Sequence, residues 1–205
     1  RGVLFSDVVD STGLRQRLGD DRADALRRDH NALVGSAVAA HGGRVLRWTG
    51  DGVKADFATA SAALAAAIEM QREVAAYGER PGSVSPFRIR SGVSVGEVVV
   101  EGNEAHGIAA IEAARLEPMA RPGDILATDL VRRLGQRRTD AQFEDVGSFV
   151  LKGLDDPVSV VRVIDVLPSA RRPLPAAITL ARRFPLVGRG EELARGPADG
   201  LGRLQ

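Results

Sequence analysis

Residues 4 to 12, LFSDVVDST, constrain this chain more than any other stretch, because they run an apolar strand into a carboxylate and then into a helix start. Val3, Leu4 and Phe5 are strand formers, and Ser11 or Thr12 has the side chain to cap the helix that follows. Asp7 is thereby placed at a strand end. A carboxylate there can hold a hard cation, while backbone N–H groups around Val8, Ser11 and Thr12 hold the phosphates that the cation bridges. A second carboxylate, Asp51, stands in Thr49-Gly50-Asp51-Gly52 between two strand-like runs, RVLRW and VKADF. Asp-Gly between strands is a hairpin signal. Taken singly, Asp51 reads as a turn residue and Asp7 as a cap; taken together they form a nucleotide geometry.

The rest of the chain alternates helical and extended runs. Residues 12 to 41 read as two helices broken near Gly19, the second opening at Asp20 or Asp21 and ending at Gly42-Gly43. Leu26, Leu33, Val34, Ala37 and Val38 keep a helical apolar stripe, whereas His30 and His41 have no partner at ligand spacing and read as surface or capping residues. Residues 58 to 76 predict an alanine-rich helix, and 82 to 86 a loop. Phe87, Ile89, Val93, Val95, Val98 and Val100 alternate, with Gly92 and Gly96 interrupting, which reads as two strands and a tight connection. A helix over 108 to 120, a strand over 124 to 128, a short helix over 129 to 135 and strands near 143 to 152 and 158 to 166 complete the pattern. The fold expected is α/β (α+β), a mixed sheet with helices packed on one face.

LFSDVVDST, HGGRVLRWTGDGVKADF, IRSGVSVGEVVVEG, HGIAAIEAARL and FEDVGSFVLKGLDDPVSVVRV, in this order and at these separations, resemble the class III nucleotidyl cyclase catalytic domain of bacterial type over residues 1 to 166. The resemblance implies a ferredoxin-like fold, ATP as substrate, and cyclic AMP and pyrophosphate as products. It makes Asp7 and Asp51 the carboxylates that hold a pair of Mg²⁺ or Mn²⁺ ions. Cyclisation needs the ribose 3′-hydroxyl activated and the leaving pyrophosphate neutralised, and two metals do both. By the same likeness Arg115, in AARL, faces the α-phosphoryl group, and Lys152, in LKGL, meets the terminal phosphates. Because the family draws carboxylates from one subunit and the other site residues from its partner, the expected assembly is a head-to-tail homodimer.

Several positions depart from the family pattern. Ile111 stands four residues before Arg115, where the family has a ribose-positioning asparagine, and isoleucine has no hydrogen-bonding group. Arg47, four residues before Asp51, replaces the base-reading lysine, and Glu104 replaces its partner aspartate. The signs are kept, but a planar guanidinium places its charge differently from an ammonium. One donor and one acceptor satisfy either adenine or guanine. Two functional readings follow: an active adenylate cyclase, and a degenerate cyclase-like module that binds nucleotide or dimerises to regulate a downstream region.

Composition excludes other classes. Basic residues number 28 and acidic ones 27, a net charge of +1, which argues against a polyanion partner and against direct nucleic-acid contact. A hydrophobic share of 44% and a charged share of 27% fit a globular body, and 205 residues suit one domain plus an appendage. Absence of cysteine excludes disulfides and thiol-zinc sites and fits a reducing compartment. No apolar run approaches the ~20 residues of a membrane span. The chain opens inside a strand without a signal peptide, so it is expected to be a cytoplasmic piece of a longer protein. Residues 167 to 205 are rich in proline and arginine and read as a linker, in which FPLVGRGEEL is similar to the segment preceding the P-loop of bacterial signalling ATPases. No G-x-x-x-x-G-K-[ST] motif occurs in the chain.

Overall fold

The computed structural model describes residues 1–164. The expected linker, the ATPase-like segment and the boundary at residue 166 lie outside them. Among the described residues no helix is long and apolar enough to cross a membrane.

The strand predicted at the start is β1 (Gly2–Val8), and it lies inside a seven-stranded sheet, third in the strand order. The two predicted helices follow as α1 (Ser11–Leu18) and α2 (Asp20–Ala40), parted at Gly19, whose positive φ of 78° suits glycine. β2 (Arg44–Trp48) and β3 (Gly52–Phe57) form the hairpin, and α3 (Ala60–Glu79) is the alanine-rich helix, capped by the Thr59 hydroxyl. β4 (Ile89–Val95), β5 (Val99–Glu101) and β6 (Glu104–His106) come next, then α4 (Ile108–Met119), β7 (Ile125–Thr128) and α5 (Asp129–Gly135). β8 (Gln142–Phe149) and β9 (Val158–Ile164) close the domain.

The sheet order is β2-β3-β1-β4-β7-β9-β8. Among the described residues only β4 and β7 pair in parallel, and α4 is the crossover that such a pair requires. This is the mixed α+β sheet expected. One feature of the expectation is corrected: the helices do not all share a face. Leu4, Val93, Ile125 and Ala127 pack with residues of α2 and α3, whereas Val3 packs with Ala110 and Ala113 of α4. Adjacent residues of a strand point to opposite faces, so α4 covers the side away from α2 and α3. Gly92 makes its close approach possible, since a Cβ there would fall against the Ala113 carbonyl and 2.5 Å from the Glu117 nitrogen. The second expected strand also differs. β5 leaves the main sheet and pairs with β6, a three-residue strand that the glycine pattern conceals.

Two local expectations are overturned. Ser11 and Thr12 do not cap α1; the N-cap is Asp10, in the left-handed region at φ 54°, and it makes no side-chain cap bond. His30 is not a surface residue but is 1% exposed, packed edge-on against Trp48 and Phe87. His41, at the end of α2, bonds Glu69 at 2.6 Å.

Candidate active site

The register of β1 builds the site. Asp7 lies opposite Gly52 on β3 and opposite Arg90 on β4, so the hairpin tip and a guanidinium flank it. Gly52 has no room for a side chain, because a Cβ would meet the Ser6 carbonyl at 2.6 Å, the Thr49 hydroxyl at 2.7 Å and the Asp7 carboxylate at 3.0 Å. A glycine at this point lets the tip close down on β1. The Val8 N–H donates to the Asp51 carbonyl at 3.1 Å, and the Ser11 hydroxyl donates to the Asp51 carboxylate. Together these bonds fix Asp51 beside Asp7.

Electrostatics record how near the carboxylates are. Burial pushes the Asp7 carboxyl up to about 6, and the charges of Asp51 and Glu117 and a hydrogen bond to Asp51 push the same way. Arg90 opposes them, donating to Asp7 at 3.3 Å and to Glu117 at 2.5 Å. Two carboxylates this close repel each other when both are charged, and a divalent cation between them would relieve that repulsion. Magnesium is characteristically held by one or two carboxylates plus substrate phosphates, not by an all-protein cage. Among the described residues no group of three or more acidic, histidine or cysteine side chains is arranged to hold an ion.

The other residues singled out in the sequence fall into separate groups. Ser11 and Thr12 open α1, where the N–H groups of the first turn have no acceptor within the helix. Val8 differs, because its N–H is spent on the hairpin and is not available to a phosphate. Arg47 and Glu104 meet at 2.9 Å. Arg115 and Lys152 are also neighbours, the Arg115 guanidinium donating to the Lys152 carbonyl at 3.1 Å. Neither of these two is among the charges that act on Asp7 within one chain.

Three participants escaped the sequence reading. Lys54 is buried in β3 and donates to Glu104 at 2.7 Å and to the Ala105 carbonyl at 3.3 Å, above the Phe5 ring. A register shift between Val45 and Arg47 sets Arg47 opposite Lys54, and the two cations grip one carboxylate, holding Glu104 below its ordinary value. Arg90 and Glu117 are the others. Alternation in β4 places Arg90 on the Asp7 side, but nothing local marks Glu117, which arrives with α4.

No family model matches the sequence. The adenylate/guanylate cyclase/hydrolase of Silicibacter pomeroyi superposes with a TM-score of 0.71 at 30% identity, over 82% of this chain and 96% of that one. The adenylyl cyclase CyaB of P. aeruginosa has the same fold, with a TM-score of 0.69 at 24% identity over 83% of this chain and 94% of that one. The Rhizobium meliloti protein named "Putative adenylate cyclase 3" is 30% identical over 158 residues, 77% of this chain. An uncharacterised protein of Mycobacterium tuberculosis is 34% identical over 168 residues, 78% of this chain. The chain spans 27% of the length of the first of these two relatives and 54% of the second. With this fold, and this likeness along nearly the whole of a solved cyclase chain, the protein belongs to the adenylate/guanylate cyclase family.

Proposed function

We propose that the domain is an adenylate cyclase, converting ATP to cyclic AMP and pyrophosphate at the interface of a homodimer. The observation that carries this reading is the convergence of Asp7 and Asp51, far apart in sequence, at the end of β1, where Asp7 pairs with Gly52 and the Val8 N–H bonds the Asp51 carbonyl. Their oxygens would hold two Mg²⁺ or Mn²⁺ ions. When bound, such ions act as Lewis acids that lower the proton affinity of the ribose 3′-hydroxyl and neutralise charge on the departing pyrophosphate.

The chain's own groups do the remaining work. Ser11 fixes the Asp51 carboxylate, and the first turn of α1 presents N–H groups to phosphate oxygens. Arg47 and Glu104 give one donor and one acceptor to the base, with Lys54 behind them. Arg115 supplies positive charge to the α-phosphoryl group, and Lys152 to the terminal phosphates. Arg115 and Lys152 of one copy serve the carboxylates of the other, which is why their separation from Asp7 within a chain is compatible with catalysis. The same requirement makes a lone copy inactive.

One observation favours the second reading, a weak or inactive nucleotide-binding module acting on a downstream region. Ile111 is 38% exposed on α4 and presents an apolar side chain where the resemblance places a ribose-positioning amide. The deciding experiment is production of cyclic AMP and cyclic GMP by the purified protein with Mn²⁺ and ATP or GTP, beside Asp51→Ala. Cyclic AMP from the parent and none from the variant supports the cyclase. Nucleotide-induced thermal stabilisation without either product supports the binding module.

A further inference from the structure

The Glu104 carboxylate is gripped by two cations of very different freedom. Oε2 accepts from the Lys54 ammonium at 2.7 Å, and Oε1 accepts from the Arg47 guanidinium at 2.9 Å. The Lys54 side chain is 10% exposed, whereas that of Arg47 is 64% exposed. Lys54 is pinned further by the Ala105 carbonyl at 3.3 Å and lies over the Phe5 ring, 5.4 Å from its centre. Among the described residues Arg47 has Glu104 as its one partner.

The hairpin itself sets this division. The register shift between Val45 and Arg47 brings Arg47 level with Lys54 on the neighbouring strand. Like charges directly opposite one another are destabilising, and Glu104, arriving from β6, is the counter-charge that both need. β2 is the edge strand of the sheet, so Arg47 meets solvent, while Lys54 lies one strand further in. An exposed ion pair contributes little and is readily given up, whereas a buried cation that loses its carboxylate is strongly destabilising. The Arg47 bond is therefore the one that can be exchanged, and the Lys54 bond is the one that stays.

We propose that Lys54 is the positioning residue of base recognition: an incoming adenine displaces Arg47 from Oε1 of Glu104 and donates its 6-amino group there, while Lys54 keeps the carboxylate charged and in place. Arg47, once released, turns its donors to the ring nitrogen N1, since a guanidinium has several and accepts nothing. The inference rests on the reading of Arg47 and Glu104 as the base site and goes beyond it by separating three roles. Glu104 reads the amino group, Arg47 exchanges one acceptor for another, and Lys54 acts through Glu104 without touching the base. Without Lys54 the same exchange would break the one ion pair left to Glu104, so Arg47 would hold on and the amino group would find its acceptor occupied.

The test is calorimetric titration of the full chain, with Mn²⁺ present, using 3′-deoxy-ATP and its analogue with hydrogen in place of the 6-amino group. Neither carries the hydroxyl that would attack, so binding is read without turnover. The parent should bind the amino form tighter by about tenfold or more, the loss expected when a donor to a charged acceptor is removed. Arg47→Met should weaken both nucleotides and keep that ratio. Lys54→Met should bring the ratio close to one, whereas a merely structural role for Lys54 would lower both affinities together and leave the ratio unchanged. Because Arg47 is exposed, Arg47→Met decides the matter should Lys54→Met not fold: a ratio kept supports the exchange, and a ratio lost overturns it. A ratio near one in the parent, a ratio surviving in Lys54→Met, or no binding of either nucleotide overturns the proposal as well. Cyclic AMP formation by the parent from ATP, measured separately, shows whether the cyclase reading stands when this one falls.

Discussion

Arg90 lies opposite Asp7 across the β1–β4 ladder and donates to its carboxylate at 3.3 Å. The same guanidinium holds Glu117 of α4 at 2.5 Å, so one cation ties the end of β1 to the helix on that face of the sheet. Arg90 is also the charge that pulls the Asp7 proton affinity down, against burial and two carboxylates. Arg90→Met should therefore raise the Asp7 pKa beyond about 6 and leave Glu117, a mostly buried carboxylate, without its partner. The expected cost is on the order of 1–3 kcal/mol, the range for a partly buried charge left unpaired. Chemical denaturation of the two proteins, with an NMR titration of Asp7, checks both halves. An Asp7 pKa that stays put would mean that Arg90 contacts the site without tuning it.

The raised Asp7 pKa sets the sign of a pH effect. The folded protein binds this proton more tightly than the unfolded chain does, so stability falls as pH rises from about 3.8 through about 6, then levels off. Asp7→Asn removes that loss. Without divalent ions the variant should match the parent below about pH 4 and draw ahead as pH rises toward 6. Above that its advantage should be on the order of 1–2 kcal/mol, after allowance for solvent screening of a partly open site. Mn²⁺ should reverse the order, stabilising the parent increasingly through the same window and leaving the variant unchanged. Melting curves over pH, with Mn²⁺ and with a chelator, make the comparison. Equal Mn²⁺ stabilisation of both proteins would remove Asp7 as a ligand.

How the sequence disclosed some of this and hid the rest has physical causes. Asp7 and Asp51 were legible because each is fixed by local rules, a strand end and an Asp-Gly turn, and β1–β3 pairing then brings them together. Arg47 and Glu104 were legible through the family likeness alone. Lys54 was not, because every residue of β3 is buried and the alternation that would single out an inward cation is absent. The two-faced packing had a signal that went unused: Val3, Leu4 and Phe5 form an unbroken apolar run, as strands covered on both sides do. His30 also had one. It lies four residues after Leu26 and four before Val34, inside the buried stripe of α2 and not beside it. Asp10 as N-cap could not be read from residue type, since Ser11 and Thr12 are as good a cap chemically and only the path of the chain decides.

Lys54 gives a prediction about base recognition. Its ammonium is among the groups that hold Glu104, and it ties β3 to the short β5–β6 hairpin through the Ala105 carbonyl. Lys54→Met keeps the buried stem and removes the charge. Glu104 then keeps Arg47 alone, its proton affinity rises, and the acceptor offered to the base loses its fixed position. If the pair reads the base, KM for the nucleotide should rise severalfold to about tenfold while kcat falls less, the pattern of lost ground-state binding. Steady-state kinetics with ATP and GTP provide the split. A fall in kcat at constant KM would place Lys54 outside the base site.

Ile111 supplies the sharpest test of the catalytic assignment, because it converts an apparent defect into a gain. The residue sits in the first turn of α4, one helical turn before Arg115, and is 38% exposed, so Ile111→Asn disturbs little packing and should leave stability within about 0.5 kcal/mol. Its side-chain amide would add two donors and an acceptor on the side of the helix that carries Arg115. Correct placement of a reacting group commonly contributes on the order of 10²-fold in rate, so a tenfold or larger rise in kcat/KM for cyclic AMP formation is expected. Ile111→Ala, equally small in its effect on packing but unable to hydrogen-bond, should give no such rise. A rate in Ile111→Asn no higher than in Ile111→Ala would show that this position does not face the ribose. The proposed role of Arg115 beside the α-phosphoryl group, drawn from the same motif, would then lose its support.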